Sequence, residues 1–137
     1  MSGWRTEIYD QTFKVANEFR RRVGGGIMVA DNPSGDGKYD IIINATPVGS
    51  GYLAGQMLVS EETLKNSSLV VEMISKPIDT MFVKKAKFDE IPVICGDEVA
   101  FFSTYLADCI LTETEPHVDE ALSFYSEFSK MRNGDVK

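Results

Sequence analysis

Short apolar runs alternate along this sequence with longer stretches in which apolar residues recur every three or four positions. The runs predict strands at 27–30, 41–46, 69–74 and 91–95. Three consecutive isoleucines at 41–43 indicate a strand buried on both faces, as in a parallel sheet. The alternation of strands and helices favours a parallel sheet with covering helices. We therefore predict an α/β fold with a parallel sheet of about four strands and flanking helices.

The amphipathic stretches predict the helices and their ends. The first helix spans 7–23, with Thr6 as its N-cap and three glycines after it as its stop. Ser60 is expected to cap a short helix within 60–68. Further helices are predicted where apolar residues share one face, at 78–88, 97–111 and 117–131.

The most informative segment is "NATPVGSG" at 44–51, which follows the isoleucine strand. It lies at the carboxyl end of that strand, where open α/β sheets bind ligands. Gly49 and Gly51 permit close approach and unusual backbone angles, and Pro47 fixes the turn. The alternative is that 44–51 is only a strand-to-helix turn.

Composition excludes several classes of function. The 137 residues fit one domain, and a net charge of −7 with a pI near 4.7 argues against broad nucleic-acid binding. Cys95 and Cys109 form no close-spaced motif, and His117 is the only histidine, so no metal site is expected. With no apolar run near the roughly 20 residues of a membrane helix and no signal peptide, we predict a cytoplasmic protein with reduced thiols.

No catalytic pair or triad is evident in the spacing of polar residues. General acid–base chemistry needs convergent carboxyl groups, whereas the acidic residues near 44–51 read as surface residues. Ser50, Ser60 and Ser103 have no histidine near them in sequence. We therefore name no catalytic residue.

Three motifs, in order, resemble the NADP-binding domain of the shikimate dehydrogenase family. They are "DIIINATPVG", "LVVEMISKPIDTMFVKKAK" and "IPVICGDEVAFF", which together span about residues 40–111. The family pattern reads D-x-I-I-N-A-T-P-x-G-M, then V-x-D-x-x-Y-x-P-x-x-T, then a G-x-E-M-x-x-x-Q helix. A weaker similarity joins "WRTEIYDQTFKVANEF" to the N-R-T stretch that ends the family's second strand and starts a helix.

The resemblance implies a partial Rossmann-like sheet and NADP as the cofactor. It places Arg5 and Thr6 at the adenosine 2′-phosphate, with Trp4 where the family has Asn. The other cofactor-binding positions that it implies are Asn44, Ala45, Thr46, Val48, Gly49, Ile74, Gly96 and Val99.

The substrate contacts depart from the family pattern. Ser75 stands at the position of the family's Tyr, and Ser103 stands at that of its Gln. A serine does not reach as far as a phenol or an amide, so shikimate binding is not expected to be retained. Glu72 replaces the Asp of V-x-D, and Val99 replaces a Met with a similar volume.

Two parts of the family pattern are not found in the sequence. No G-x-G-x-x-G element precedes Arg5, so the turn that holds a pyrophosphate is missing, and nothing resembles the catalytic domain. We expect one truncated NADP-binding-like domain with a tail at 132–137, weak or no NADP binding, and no activity as an isolated chain. The alternatives are a non-catalytic relic or interaction module and a fragment of a full enzyme.

The missing first strand leaves a question about the sheet. In the 3-2-1-4-5-6 order, the strand at 41–46 would lie beside strand 1, so its edge is expected to be open. We predict that 27–30 moves next to 41–46 and completes a four-stranded sheet. The alternative is that another chain, such as a second copy in a homodimer, covers the edge.

Overall fold

The computed structural model describes residues 6–8, 13–23, 27–29 and 38–133. Its contacts divide the chain into two compact units, Met1–Gly37 and Lys38–Lys137. In the first unit, β1 (Thr6–Ile8) pairs in parallel with β2 (Ile27–Val29), and α1 (Phe13–Val23) connects them. In the second unit, β3 (Ile41–Asn44), β4 (Leu69–Glu72) and β5 (Val93–Ile94) form a parallel sheet in that order.

Four helices belong to the second unit, within the residues that the structure describes. α2 (Glu61–Lys65) and α3 (Met81–Phe88) connect the strands, and α4 (Gly96–Leu111) and α5 (Val118–Asn133) follow the sheet. A 3-10 turn, Gly51–Leu53, lies in the connection after β3. The α/β class and the parallel sheet with flanking helices are confirmed. No described helix is long and apolar enough to cross a membrane.

The core of the second unit lies on one face of its sheet. Ile42 and Val70 of the strands pack there with Leu64 of α2 and with Phe82 and Ala86 of α3. Ser60 caps α2 by accepting a hydrogen bond from Thr63 N, as predicted, and Thr80 caps α3 in the same way through Val83 N.

The expectation that Ile41, Ile42 and Ile43 are buried on both faces is wrong. Ile42 is 8% exposed, whereas Ile41 and Ile43 are 37% and 56% exposed. Successive side chains of a strand point to opposite faces, and the helices α2 and α3 pack only on the face that carries Ile42.

Two expectations for the first unit are also wrong. Thr6 lies within β1 and does not cap a helix, because the first helix begins at Phe13. The strand at 27–30 does not complete a four-stranded sheet with β3, since Ile27–Val29 pairs with Thr6–Ile8 in a separate two-stranded sheet. Several predicted positions lie outside the described residues: Trp4, Arg5 and the three glycines at 24–26. The expected tail at 132–137 is described only up to Asn133, which belongs to α5.

Candidate functional site

The loop after β3 is held in shape by its own side chains. The Oδ1 atom of Asn44 accepts hydrogen bonds from the backbone N–H and the Oγ1 hydroxyl of Thr46, at 3.1 and 2.8 Å. Thr46 Oγ1 in turn accepts from the Val48 N–H at 3.1 Å. Asn44 Nδ2 donates to the Val48 carbonyl at 2.9 Å, which closes the loop. The segment 44–48 is therefore a tight turn whose polar groups largely satisfy one another.

A buried carboxyl group at the end of β4 holds this loop against the next one. Both oxygens of Glu72 lie within 3.0–3.1 Å of Asn44 Nδ2. The same group accepts from Ile74 N at 3.0 Å and from Thr80 Oγ1 at 2.9 Å. Asn44 and Glu72 have no exposed surface, and Thr80 has 1%. Four hydrogen bonds thus connect the loop after β3, the loop after β4 and the N-cap of α3.

Two glycines mark places where this edge of the sheet is tightly packed. Gly49 has a φ of +107°, and a Cβ atom on it would lie 3.2 Å from Thr80 Cβ. A Cβ atom on Gly96 would lie 2.0 Å from the carbonyl oxygen of Ile74. The first residue of α4 therefore packs directly on the backbone after β4, and only glycine fits there without movement.

The structure brings most of the predicted cofactor-binding residues to one edge of the sheet, at the carboxyl ends of β3, β4 and β5. Glu72 links Asn44 to Ile74, Gly49 lies near Ile74, and Gly96 contacts the Ile74 backbone. Ser75 follows directly and is exposed, like Ala45. Val99 and Ser103 lie one turn apart on α4, where Ser103 Oγ donates to the Val99 carbonyl at 2.6 Å.

The N-terminus of α4 is not suited to bind an anion. Asp97 and Glu98 occupy its first turn, and they oppose a negative ligand at the positive end of the helix dipole. Tyr125 of α5 donates a hydrogen bond to Asp97 Oδ2 at 3.2 Å. Burial, followed by the nearby Glu98 and Cys95, raises the pKa of Tyr125 above its ordinary value.

The hydroxyl of Thr46 has little capacity left for a ligand. A hydroxyl group has one donor and two acceptor positions. Thr46 donates to Asn44 and accepts from Val48, which leaves one acceptor position. The hydroxyl of Ser50 also stays within the loop, since it donates to the Pro47 carbonyl at 3.0 Å. Hydrogen-bond donors for a ligand must therefore come from elsewhere.

The sequence reasoning missed two features of this edge. The buried contacts of Glu72 with Asn44 and Thr80 were not predicted, because Asn44 is 28 residues from Glu72 in the chain and Thr80 follows it across a loop. A G-x-G-x-x-A pattern at 49–54 also went unnoticed. That pattern normally opens an α-helix whose N-terminus binds a pyrophosphate, but here it leads into a 3-10 turn of three residues.

A separate cavity of about 490 Å³ is lined by residues of α4, α5 and their connection. It includes His117 and Cys109 but none of the predicted cofactor-binding residues. Among the described residues, no three His, Cys, Asp or Glu side chains are grouped so that they could hold a metal ion.

Comparisons with known proteins point to one family. No family model matches the chain. It is 38% identical over 60 residues to the shikimate dehydrogenase (NADP(+)) of Dehalococcoides mccartyi, and the match covers 44% of this chain and 21% of that protein. It is 32% identical over 81 residues to the enzyme of the same name from Methanocaldococcus jannaschii, which is 58% of this chain and 29% of that protein. The chain thus matches less than a third of the length of these relatives.

Solved structures share the fold over most of the chain. A chorismate mutase/shikimate 5-dehydrogenase fusion protein from Clostridium acetobutylicum matches with a TM-score of 0.72 and 19% identity, over 91% of this chain and 44% of that one. A quinate dehydrogenase from Corynebacterium glutamicum in complex with NAD matches with a TM-score of 0.68 and 19% identity, over 91% of this chain and 47% of that one. The resemblance to the shikimate dehydrogenase family is confirmed, and so is the partial Rossmann-like fold.

Proposed function

We propose that this chain, which is related to the shikimate dehydrogenases over part of their length, supplies the nicotinamide side of an NADP-binding domain. The whole protein would be a shikimate/quinate dehydrogenase-like oxidoreductase in the cytoplasm. When bound, NADP supplies hydride transfer. The chain's own residues would shape the cleft and position the nicotinamide end of the cofactor.

One observation carries this proposal. The loop 44–49, the residue Ile74 and the first turn of α4 meet at the carboxyl edge of a parallel sheet, which is where doubly wound folds bind their ligands. The loop is held rigidly before any ligand binds, which reduces the entropy cost of ordering it. The names of the sequence relatives support NADP as the ligand.

Saturation-transfer NMR with NADP+ tests which end of the cofactor the chain contacts. We expect stronger transfer to the nicotinamide protons than to the adenine protons. Ile74→Asp should remove this transfer, because it puts a charge beside Gly49 and Gly96. Val118→Asp, at an exposed position on α5, is the matched control and should keep it. No transfer to the nicotinamide in the unaltered chain would contradict the proposal.

Affinity and turnover are expected to be low for the isolated chain. Titration calorimetry should give a Kd for NADP+ weaker than about 10 µM, about −7 kcal/mol. The reason is that, within the described residues, the glycine-rich turn at 49–51 leads into a short 3-10 turn and not into an α-helix whose N-terminus could bind a pyrophosphate. Because Ser75 and Ser103 replace longer polar side chains, we expect no NADP+ reduction with shikimate above a buffer control, followed by nicotinamide absorbance. Clear turnover would show that these positions are dispensable.

An interaction module that retained the scaffold is the second candidate. Large apolar side chains on α4 and α5 favour it, since Ile110, Leu111 and Val118 are 71–83% exposed. Soluble monomers seldom expose large contiguous apolar patches. NADP+ binding separates the two candidates, because binding at the nicotinamide end supports the first, whereas a stable assembly without NADP+ binding supports the second.

A further inference from the structure

We infer that Glu72 is a positioning residue that fixes the polarity of the loop 44–48, that is, which of its groups donate and which accept hydrogen bonds. As a result, the hydroxyl group of Thr46 can only accept a hydrogen bond from a ligand. The part of this inference that concerns the ligand rests on the function proposed above. The polarity itself follows from the contacts of Glu72, Asn44, Thr46 and Val48 alone.

The direction of each hydrogen bond can be traced from Glu72 outward. Both carboxyl oxygens of Glu72 accept, so the side-chain atom of Asn44 that faces them must be the donor Nδ2. This orientation turns Asn44 Oδ1 toward Thr46, where it accepts from the N–H and from the hydroxyl. The hydroxyl proton of Thr46 therefore points into the protein.

The remaining contacts secure the same arrangement. Thr80 Oγ1 accepts from Val83 N at 3.2 Å, so its proton is free to be donated to Glu72. Ile74 N is the third donor to Glu72, and it brings the loop after β4 into the same network. Asn44, Glu72 and Thr80 are buried, so reversing the contact of Glu72 with either of the other two would leave two donors or two acceptors facing each other without water.

The consequence for recognition is specific. Val48 N occupies one acceptor position of the Thr46 hydroxyl, and Asn44 receives its proton, so one acceptor position remains. Thr46 is only partly buried, so a ligand can approach it. The ligand group beside it must carry an N–H or O–H donor. The carboxamide of a nicotinamide has such a donor, whereas a phosphate ester or a ketone has none.

NMR of the isolated chain tests the polarity without any ligand. The Asn44 side-chain amide protons and the Val48 amide proton should exchange slowly with solvent. In Glu72→Gln they should exchange about tenfold faster or more, since a buried donor then lacks its acceptor. The Val70 amide in the core of β4 should keep its protection. Equal acceleration at Val70 would show that Glu72 only maintains the fold, and unchanged exchange at Asn44 would refute the assigned polarity.

A pair of cofactors tests the recognition. We compare NADP+ with the analogue in which an acetyl group replaces the carboxamide and removes its N–H donors. The unaltered chain should prefer NADP+ by about fivefold, the size of one net hydrogen bond. Thr46→Val should abolish the preference. Thr63→Val, which removes a threonine hydroxyl that is buried in α2, away from the loop 44–48, is the control and should retain it.

The outcomes separate the inference from the proposed function. A preference that survives Thr46→Val overturns the role of Thr46 as an acceptor. If neither cofactor binds the unaltered chain, the proposed function fails together with the recognition step. In that case the exchange rates of Asn44 and Val48 alone decide whether Glu72 sets the polarity of the loop.

Discussion

At the scale of single residues, Gly96 is the described glycine with the least room for a side chain. Its α-carbon faces the carbonyl of Ile74 so closely that a methyl group would overlap backbone atoms. Backbone cannot move aside as a flexible side chain can, so a larger residue there must displace either α4 or the segment after β4.

We expect Gly96→Ala to lower the free energy of unfolding by about 3 kcal/mol, as overpacking against a fixed backbone does. Gly51→Ala is the control. Gly51 has a φ of +52° and no atoms near its missing side chain, so only the backbone strain of about 1 kcal/mol applies. Urea unfolding measures both variants, and equal losses would mean that the contact with Ile74 yields easily.

Tyr125 gives a prediction for the dependence of stability on pH. Its pKa is raised in the folded state by burial and by Glu98 and Cys95. The unfolded chain therefore ionises first, and the free energy of unfolding should fall as the pH rises above the ordinary tyrosine pKa of about 10. Tyr125→Phe should lose less stability over that range in urea unfolding at several pH values. Identical slopes for both proteins would contradict the assignment.

At the scale of elements, the sequence predicted those helices, strands and caps that depend only on the local pattern of residues. The cap of α2, the strand β4 and the helices α3 to α5 follow from apolar spacing and capping residues that lie within one element. The pattern did not reveal β1, because three residues are too few for an alternation and its partner β2 lies 21 residues further along. The spacing of residues over 7–23 therefore predicted one continuous helix.

The candidate site was predictable in part for the same reason. The turn at 44–51 and the glycine that begins α4 have local signatures, so their place at the carboxyl edge of the sheet could be expected. The burial of β3 could not be predicted, since a run of isoleucines does not show which face of the sheet is covered by helices. The contact between Asn44 and Glu72 also depends on the pairing of β3 with β4, which no local pattern encodes.

The cap of α2 provides a test at this scale. Ser60→Ala should lower the free energy of unfolding by about 1 kcal/mol, because Thr63 N then loses its hydrogen-bond partner. Ser126→Ala, at an exposed position on α5, is the control and should change stability by less than about 0.5 kcal/mol. A loss at Ser126 as large as that at Ser60 would mean that the cap contributes nothing special.

At the scale of the whole molecule, the outer edge of β3 is the feature that bears on assembly. The carbonyls of Asp40 and Asn44 accept hydrogen bonds from Ser68 N and Met73 N beside β4. Since the polar backbone groups of a strand alternate between its two sides, Ile41 and Ile43 direct theirs away from β4. Exposed strand edges of this kind readily pair with another chain.

We propose that a second copy of the chain covers this edge, since β3 is an end strand of its sheet among the described residues and β2 belongs to the other sheet. The amides of Ile41 and Ile43 should then exchange slowly with solvent, and light scattering should give twice the mass of one chain. The Ile42 amide, which points toward β4, is the internal control. Fast exchange at Ile41 and Ile43 in a folded sample would refute any covering of the edge. Slow exchange at the mass of a single chain would refute the dimer.

The buried network around Glu72 also restricts how this protein can change by mutation over generations. Positions 44, 46, 72 and 80 share hydrogen bonds whose directions depend on one another. A single substitution that removes the polar group at any of them leaves a hydrogen-bond partner unsatisfied, so neutral drift should replace them together or not at all. An aspartate at position 72 would be one methylene shorter, so lineages that carry it should show matching changes in the backbone spacing or the side chains of the two loops.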